Sequence, residues 1–131
     1  TDARGIEGLD AAIERGNAYH AAGADMIFPE GLAGGDEFAE FASSCPGLLF
    51  ANMTEFGKTP IIPVSRFQEL GYDIVIFPVT TQRIAMHAVA KALATIKSKG
   101  SVESILSDMQ TRQELYDLLG YTPDAGWKPR G

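Results

Sequence analysis

Polar side chains follow three apolar segments of the sequence, each at the point where the segment ends. The apolar segments span residues 26–28, 48–51 and 74–79, and the polar residues that follow them are Glu30, Asn52, Thr54 and Arg83. A carboxylate, an amide, a hydroxyl and a guanidinium are groups that bind and orient a small ligand that carries carboxylates. We therefore expect these residues to form one binding site, provided that the three segments lie side by side.

The elements that must position these residues alternate between strands and helices. The apolar segments belong to predicted strands at Asp25–Pro29, Leu48–Ala51 and from Asp73 to Val79. The carboxyl ends of parallel strands open into the ligand site of a (β/α) barrel. Helical spacing of apolar residues predicts a helix from 7 to 22, Asp36 is a candidate cap for a short helix, and Ser65–Gln68 has the spacing of a capping box. The alternation predicts an α/β fold with a parallel sheet.

The second half of the sequence is predominantly helical in pattern. Ile84, Ala88, Ala92 and Ile96 recur every fourth residue, which predicts a helix to about Ser98 with these positions packed. Further helices are predicted from Ser101 and, by a capping box, from Thr111. Residues 122–131 lack periodicity and are expected to be irregular.

Glu30 and the Asn52/Thr54 pair each allow two interpretations. Glu30 ends a strand, where its carboxylate could polarise or orient a substrate hydroxyl; otherwise it is a carboxylate in a solvated loop. Asn52 and Thr54 are two residues apart, so both can face one side of a strand and bind a ligand carboxylate. The alternative is that they cap the strand end by bonding nearby backbone.

Two arginines are candidates for gripping a carboxylate with both arms of the guanidinium. Arg83 directly follows the third strand, and Arg112 lies in the first turn of a helix, where the helix dipole disfavours a cation. The alternative for either is a surface ion pair, which for Arg112 would involve Glu114 or Asp108.

Composition excludes several classes of protein. The 131 residues fit one domain at most, and 45% hydrophobic content suits a soluble globular core. A net charge of −6 argues against non-specific nucleic-acid binding, and no apolar run approaches the roughly 20 residues of a membrane helix. We therefore expect a cytoplasmic protein that binds neither nucleic acid nor membrane. The one cysteine, Cys45, has no His near it in sequence and is expected to be structural.

Several motifs, in this order and at consistent spacing, resemble the C-terminal half of the 2-methylisocitrate lyase family, in the isocitrate lyase/phosphoenolpyruvate mutase superfamily. The resemblance covers about residues 1 to 121. The motifs are Thr1-Asp2-Ala3, Glu7-Gly8-Leu9-Asp10-Ala11-Ala12-Ile13-Glu14-Arg15, Ala22-Gly23-Ala24-Asp25-Met26, Phe28-Pro29-Glu30, Ala51-Asn52, Thr54-Glu55-Phe56-Gly57, Thr59-Pro60 and Met109-Gln110-Thr111-Arg112.

The resemblance implies the C-terminal part of a (β/α)8 TIM barrel with extra C-terminal helices. It divides the chain into a half-barrel at 1–100, C-terminal helices at 101–121 that are exchanged with a neighbouring subunit, and a tail at 122–131. The implied reaction is cleavage of 2-methylisocitrate to pyruvate and succinate, in propionate catabolism. Glu30 is the implied catalytic residue, and the implied substrate-binding residues are Glu30, Asn52, Met53, Thr54, Arg83 and Arg112.

The resemblance also implies Mg²⁺, a mobile loop with a catalytic cysteine, and a homo-oligomer, a tetramer, formed through the C-terminal helix. The metal ligands and the cysteine loop belong to the half of the family's chain that this sequence does not match, and Cys45 does not match the catalytic cysteine. Because three strands cannot close a barrel, we expect the chain to be part of a longer protein and to be inactive alone. Two alternatives stay open: a superfamily relative acting on another small keto or phosphono acid (an oxaloacetate hydrolase or decarboxylase, or a phosphonomutase), or a non-catalytic half-barrel.

Overall fold

The structure, a computed structural model, describes residues 1–123, so most of the predicted tail lies outside the described residues. It forms two compact units, residues 1–84 and residues from 85 onward, and each is described by itself. The helices and strands are α1 (Arg4–Glu7), α2 (Leu9–Ala21), β1 (Met26–Ile27), α3 (Gly35–Ser44), β2 (Leu48–Asn52), α4 (Val64–Glu69), β3 (Ile74–Ile76), α5 (Thr80–Lys99) and α6 (Arg112–Leu119), with a 3₁₀ helix at Glu103–Asp108. In this part of the chain no helix has both the length and the apolar character needed to cross a bilayer.

The first unit is built on a parallel sheet with the strand order β1-β2-β3. Leu49 pairs with Ile27 on one side of β2, and Ala51 pairs with Val75 on the other. Asp73 helps to set this register, since its carboxylate accepts the Leu49 N–H at 2.8 Å and its own N–H donates to Leu49 O at 3.0 Å. The predicted α/β fold with neighbouring parallel strands is confirmed, and all three strands end at the same edge of the sheet.

The two faces of β2 have different environments. Leu49, Ala51 and Met53 are buried in the hydrophobic core on the helix-covered face. Phe50 and Asn52 alternate with them and lie on the opposite face, because successive side chains in a strand point to opposite sides. The alternation therefore assigns apolar residues to the core and leaves Asn52 on the face that carries the candidate site.

Three aromatic rings connect α3, α4 and the segment before β3. Phe38, Phe67 and Tyr72 contact one another edge to face, with ring centroids 4.9 to 5.5 Å apart. The Tyr72 hydroxyl donates to the Phe38 carbonyl at 3.2 Å, so its buried polar atom is satisfied. Burial raises the pKa of Tyr72 above its ordinary value. The cluster fixes the helices on one face of the sheet.

Helix α2 approaches the core most closely at Gly16. A Cβ atom at this position would lie 2.9 Å from Phe41 Cζ and 3.0 Å from Cys45 Sγ. The thiol is buried, its pKa is raised by that burial, and it donates to Ile13 O at 3.6 Å. Gly16 therefore allows α2 and α3 to pack together, and Cys45 has the structural surroundings that the sequence predicted.

Replacing Gly16 with alanine is expected to lower the free energy of unfolding by about 1–3 kcal/mol, because a methyl group would be forced into a filled contact. Urea denaturation followed by circular dichroism measures the change. Gly5→Ala in α1 is the matched control, since no atom lies within 4 Å of a Cβ built there. If both substitutions have the same effect, the close packing at Gly16 does not contribute to stability.

Two predicted helix starts are wrong. Helix α3 begins at Gly35 with Gly34 as its N-cap, so Asp36 lies in the first turn, where its charge still favours the helix dipole. Helix α4 begins at Val64 after Pro63, one residue before the proposed cap Ser65. Pro63 disfavours a helical backbone at the residue before it and is itself extended, with ψ of 150°, so the helix begins directly after it at Val64.

The second unit contains most of α5, the 3₁₀ helix and α6. The capping box at the start of α6 is confirmed, with Thr111 and Glu114 bonded reciprocally. The predicted packing of α5 is not met within the described residues, because no residue of α5 is buried and Ile96 is 45% exposed. A repeat of apolar residues creates a helix face, but it packs only where another element covers it. The helix predicted from Ser101 is a 3₁₀ helix in which Ile105 is buried.

Candidate functional site

The polar residues that follow the strands meet at one edge of the sheet. The rings of Phe28 and Phe50 contact each other across β1 and β2, with centroids 4.8 Å apart. Glu30 and Asn52 come two residues later on the same two segments and thus face the same side. The Glu30 N–H donates to Thr1 O at 2.9 Å, which fixes the backbone just past the end of β1. The sequence-predicted juxtaposition of Glu30 and Asn52 is therefore present.

Asn52 lies beside Glu30 with part of its hydrogen-bonding capacity unused. Its Nδ2 donates to Glu30 Oε2 at 3.4 Å, the orientation required by an ionised carboxylate, which only accepts. Its Oδ1 is buried, and among residues 1–123 no donor reaches it. An unpaired buried acceptor costs about 1–3 kcal/mol, so this oxygen is suited to a ligand that brings a donor such as a hydroxyl.

Arg83 lies at the start of α5 and pairs with Glu55, which follows β2. Its Nη1 donates to Glu55 Oε2 at 2.5 Å and to Glu55 O at 3.1 Å, while the Thr80 hydroxyl donates to Glu55 Oε1. The hydrogen bond from Thr80 has the largest effect on the pKa of Glu55, and it lowers this pKa together with the bond from Arg83. Desolvation acts in the opposite direction. The ion pair that was the alternative for Arg83 is present, at the same edge of the sheet as the candidate site.

Phe56 completes this group with an unusual backbone conformation. It is the non-glycine residue with positive φ, 62°, in the described part of the chain. Its ring lies 5.3 Å from Arg83 Cζ, within the range of a cation–π contact. Glu55 and Phe56 follow β2, whereas Thr80 and Arg83 lie at the start of α5, so sequence spacing did not predict these contacts, which form only in the folded unit.

Met53 and Thr54, the two other candidates, directly follow β2 and differ in exposure. The Met53 side chain is buried in the core and its Sδ accepts the Ile62 N–H at 3.4 Å, so a ligand could reach Met53 only through its backbone. Thr54 is half-buried and follows Asn52 by two residues. The substrate-binding roles of both residues stay predictions.

Arg112 belongs to the second unit, as the first residue of α6. Neither carboxylate named as its alternative partner binds it: Glu114 caps the helix through Thr111, and Asp108 pairs with Lys91 at 2.6 Å. Within the described ranges Arg112 therefore makes no ion pair that would account for a cation in the first turn. Its proposed grip on a substrate carboxylate stays a prediction.

A second ion pair holds the glycine-containing loop that follows Glu30. Arg4 donates through Nε and Nη2 to the two oxygens of Glu37, at 2.7 Å each, and Glu37 Oε2 also accepts the Ala33 N–H at 2.7 Å. The hydrogen bond from Arg4 lowers the pKa of Glu37. The Thr59 hydroxyl donates to Leu32 O at 2.6 Å and ties this loop to the one after β2.

Replacing Glu37 with glutamine is expected to lower the free energy of unfolding by about 1 kcal/mol at neutral pH. Because the folded-state pKa of Glu37 is depressed, its contribution is present above the unfolded-state pKa and is lost as the pH falls through the folded-state pKa. The difference from the unsubstituted protein should thus disappear in acid. Urea denaturation at a series of pH values measures it, with Glu40→Gln on the same helix as the control of equal charge.

The described residues do not provide a magnesium site of their own. No group of three or more His, Cys, Asp or Glu side chains in residues 1–123 is arranged to hold a metal ion. The two carboxylates at the site are already engaged, Glu55 with Thr80 and Arg83 and Glu30 with Asn52. We therefore derive no chemical step through a metal held by these residues.

Comparison with known proteins identifies similar sequences. A family model described as phosphoenolpyruvate phosphomutase matches residues 3–97. The 2-methylisocitrate lyase of Aeropyrum pernix is 54% identical over 121 residues, covering 92% of this chain and 39% of that protein. The probable 2-methylisocitrate lyase 1 of Corynebacterium glutamicum is 55% identical over 122 residues, covering 92% and 40%. The chain thus spans about two fifths of the length of the curated relatives it matches.

Solved structures with the same fold include two enzymes that act on small acids. Oxaloacetate acetylhydrolase with its product oxalate matches with a TM-score of 0.81 and 30% identity, covering 92% of this chain and 41% of that one. Phosphonopyruvate hydrolase with oxalate and Mg²⁺ matches with a TM-score of 0.70 and 29% identity, covering 86% and 40%. These matches confirm the predicted fold, part of a (β/α)8 barrel, and the resemblance to 2-methylisocitrate lyases. The chain belongs to the phosphoenolpyruvate phosphomutase family.

Proposed function

We propose that this chain is the substrate-binding part of a carbon-carbon lyase that cleaves 2-methylisocitrate to pyruvate and succinate. The observation that carries the proposal is the position of Glu30 beside the unpaired Asn52 Oδ1, with Arg83 at the same edge of the sheet. A substrate hydroxyl could donate to Asn52, and a substrate carboxylate could bind the guanidinium of Arg83. Relatives named 2-methylisocitrate lyase, at 54% and 55% identity, support this substrate.

In the proposed reaction a base takes the proton of the substrate hydroxyl, and the C–O bond becomes the carbonyl of pyruvate. The adjacent carbon-carbon bond breaks, and its electron pair passes to the succinate carbon, which then takes up a proton. Glu30 polarises or orients the hydroxyl, and Arg83 fixes a carboxylate of the substrate. Met53, Thr54 and Arg112 are proposed to add further contacts to the substrate.

The cofactor, the assembly and the cellular context are also proposals. Mg²⁺ is supported by the phosphonopyruvate hydrolase structure solved with that ion, and its ligands would lie outside the described residues. A homo-oligomer, a tetramer formed through the C-terminal helices, is supported by exposed apolar side chains of the second unit, such as Leu118 at 71% and Leu119 at 64%. We also propose that the enzyme is cytoplasmic and acts in propionate catabolism. Its chain would divide into a half-barrel at 1–100, C-terminal helices at 101–121 and a tail at 122–131.

The test is turnover by the full-length protein with 2-methylisocitrate and Mg²⁺, followed as pyruvate release. A panel of oxaloacetate, phosphonopyruvate and 2,3-dimethylmalate is assayed in parallel. Preference for oxaloacetate would favour the hydrolase alternative, which the oxaloacetate acetylhydrolase likeness supports at lower identity. Turnover of none of the four acids would favour the non-catalytic half-barrel.

The isolated 131-residue chain is expected to give no turnover in the same assay, since it spans only 39–40% of the length of the lyases it matches. Pyruvate release by the purified chain with no other polypeptide would contradict this expectation. Addition of Mg²⁺ to the isolated chain serves as the internal control and is expected to change nothing.

A further inference from the structure

We propose that Glu55 is a positioning residue for Arg83, which it holds by one nitrogen so that the remaining edge of the guanidinium can receive a substrate carboxylate. The inference rests on the proposed function, in which Arg83 binds substrate. Glu55 itself would touch no substrate atom. Its partner Thr80 would act with it by fixing the carboxylate.

Two residues in one turn of α5 hold the Glu55 carboxylate in place. Thr80 and Arg83 are three residues apart and therefore lie on one face of the helix, toward Glu55. Thr80 donates to Oε1, and Arg83 Nη1 donates to Oε2 and to the Glu55 carbonyl. Both oxygens of the carboxylate are thus occupied, and the guanidinium is attached through one of its three nitrogens.

The free edge of Arg83 is the one that grips a carboxylate elsewhere in this chain. Arg4 uses Nε and Nη2 to bind both oxygens of Glu37. In Arg83 the bonds to Glu55 all use Nη1, and within residues 1–123 neither Nε nor Nη2 donates to another group. A planar guanidinium held at Nη1 therefore keeps the Nε–Nη2 edge ready for a second carboxylate.

The exposure of the Arg83 and Glu55 side chains agrees with this orientation of the guanidinium. The Arg83 side chain is 43% exposed, whereas that of Glu55 is 25% exposed, so the cation is the more accessible member of the pair. The Phe56 ring lies 5.3 Å from Arg83 Cζ and is 94% exposed, so the bonds to Glu55, rather than the ring, set the orientation of the guanidinium. The group therefore holds Arg83 in one orientation without covering it.

The competing explanation is that Glu55 is only a counter-ion that substrate must displace. The two explanations predict opposite signs. If Glu55 only competes with an anionic substrate, removing its charge should tighten substrate binding. If it positions Arg83, removing its charge should weaken binding, although the site becomes less negative.

The experiment measures kcat and KM for 2-methylisocitrate, and calorimetric binding of succinate, with the full-length protein and its Glu55→Gln variant. We expect KM and the succinate Kd to rise on the order of 10-fold, with a smaller change in kcat. Glu69→Gln, which removes the same charge from the exposed Arg66–Glu69 pair, is the control and should leave both unchanged. An unchanged or lower KM and Kd in Glu55→Gln would overturn the proposal.

Three further variants separate positioning from a general loss of structure. Thr80→Val should weaken binding and Thr80→Ser, which keeps the hydroxyl, should restore it; equal defects in both would contradict the proposal. In an Arg83→Lys background, Glu55→Gln should have no additional effect. If no acid is turned over but succinate binding still depends on Glu55, the proposed function fails and this inference stands. If the unsubstituted protein binds no succinate, both fail.

Discussion

Replacing Glu30 with glutamine is expected to reduce turnover of the hydroxy acid by about 10²- to 10³-fold. Glutamine has nearly the same shape and can still accept a hydrogen bond from Asn52 Nδ2, but it cannot carry the negative charge that would polarise the substrate hydroxyl. Glu30 is half-buried, so the substitution should leave the fold intact. The measurement is kcat for pyruvate release by the full-length variant, with its melting temperature as a check on folding.

The control for this prediction lies at the opposite end of the same strand. Asp25 precedes β1 and is exposed, so Asp25→Asn removes one carboxylate charge without altering the carboxyl end of the sheet. It should leave kcat within a factor of about two. A Glu30→Gln variant with near-normal kcat would mean that Glu30 is the solvated loop carboxylate of the alternative interpretation.

The second large effect is expected at Arg83. Replacing Arg83 with alanine removes the proposed carboxylate grip and also leaves the Glu55 charge without its cation, close to an anionic substrate. Because the substrate carboxylate would lose the arginine that positions it, we expect kcat/KM to fall on the order of 10²-fold. Steady-state kinetics with the full-length protein measures this loss.

Two companion variants make the Arg83 result specific. Arg66→Ala removes a cation from the exposed Arg66–Glu69 pair and should leave kcat/KM unchanged. Adding Glu55→Gln to Arg83→Ala should recover part of the loss, because it removes the uncompensated charge. If Arg66→Ala and Arg83→Ala behave alike, Arg83 contributes only to surface charge.

The sequence was sufficient to predict the parts of the fold that follow from alternating buried and exposed residues in a strand and from the order of the strands along the chain. Buried Leu49 and Ala51 alternate with Phe50 and Asn52, and a strand with this pattern can place Asn52 only on the opposite face. Because the strands are parallel neighbours, Glu30 follows β1 beside Asn52. These two residues could therefore be assigned to one edge before any coordinates were known.

The sequence was insufficient where the outcome depended on competing local preferences or on distant contacts. Asp36 and Ser65 have good capping side chains, but the N-caps are Gly34 and Pro63, two residues earlier in each case. Glu55 and Arg83 are 28 residues apart, and no spacing rule connects a strand-end carboxylate with the first turn of a later helix. The apolar repeat of α5 predicts that the helix has an apolar face, but it does not identify the element that covers this face.

Asn52 lies on the central strand, which is hydrogen-bonded to a neighbour on each side, whereas Arg83 reaches the site through a long side chain at the start of a helix. Because Glu55 also holds Arg83 in place, the two contacts are separated by a set distance. Acids whose hydroxyl and carboxylate match that distance would bind at both contacts, whereas shorter or longer acids would bind at one of them.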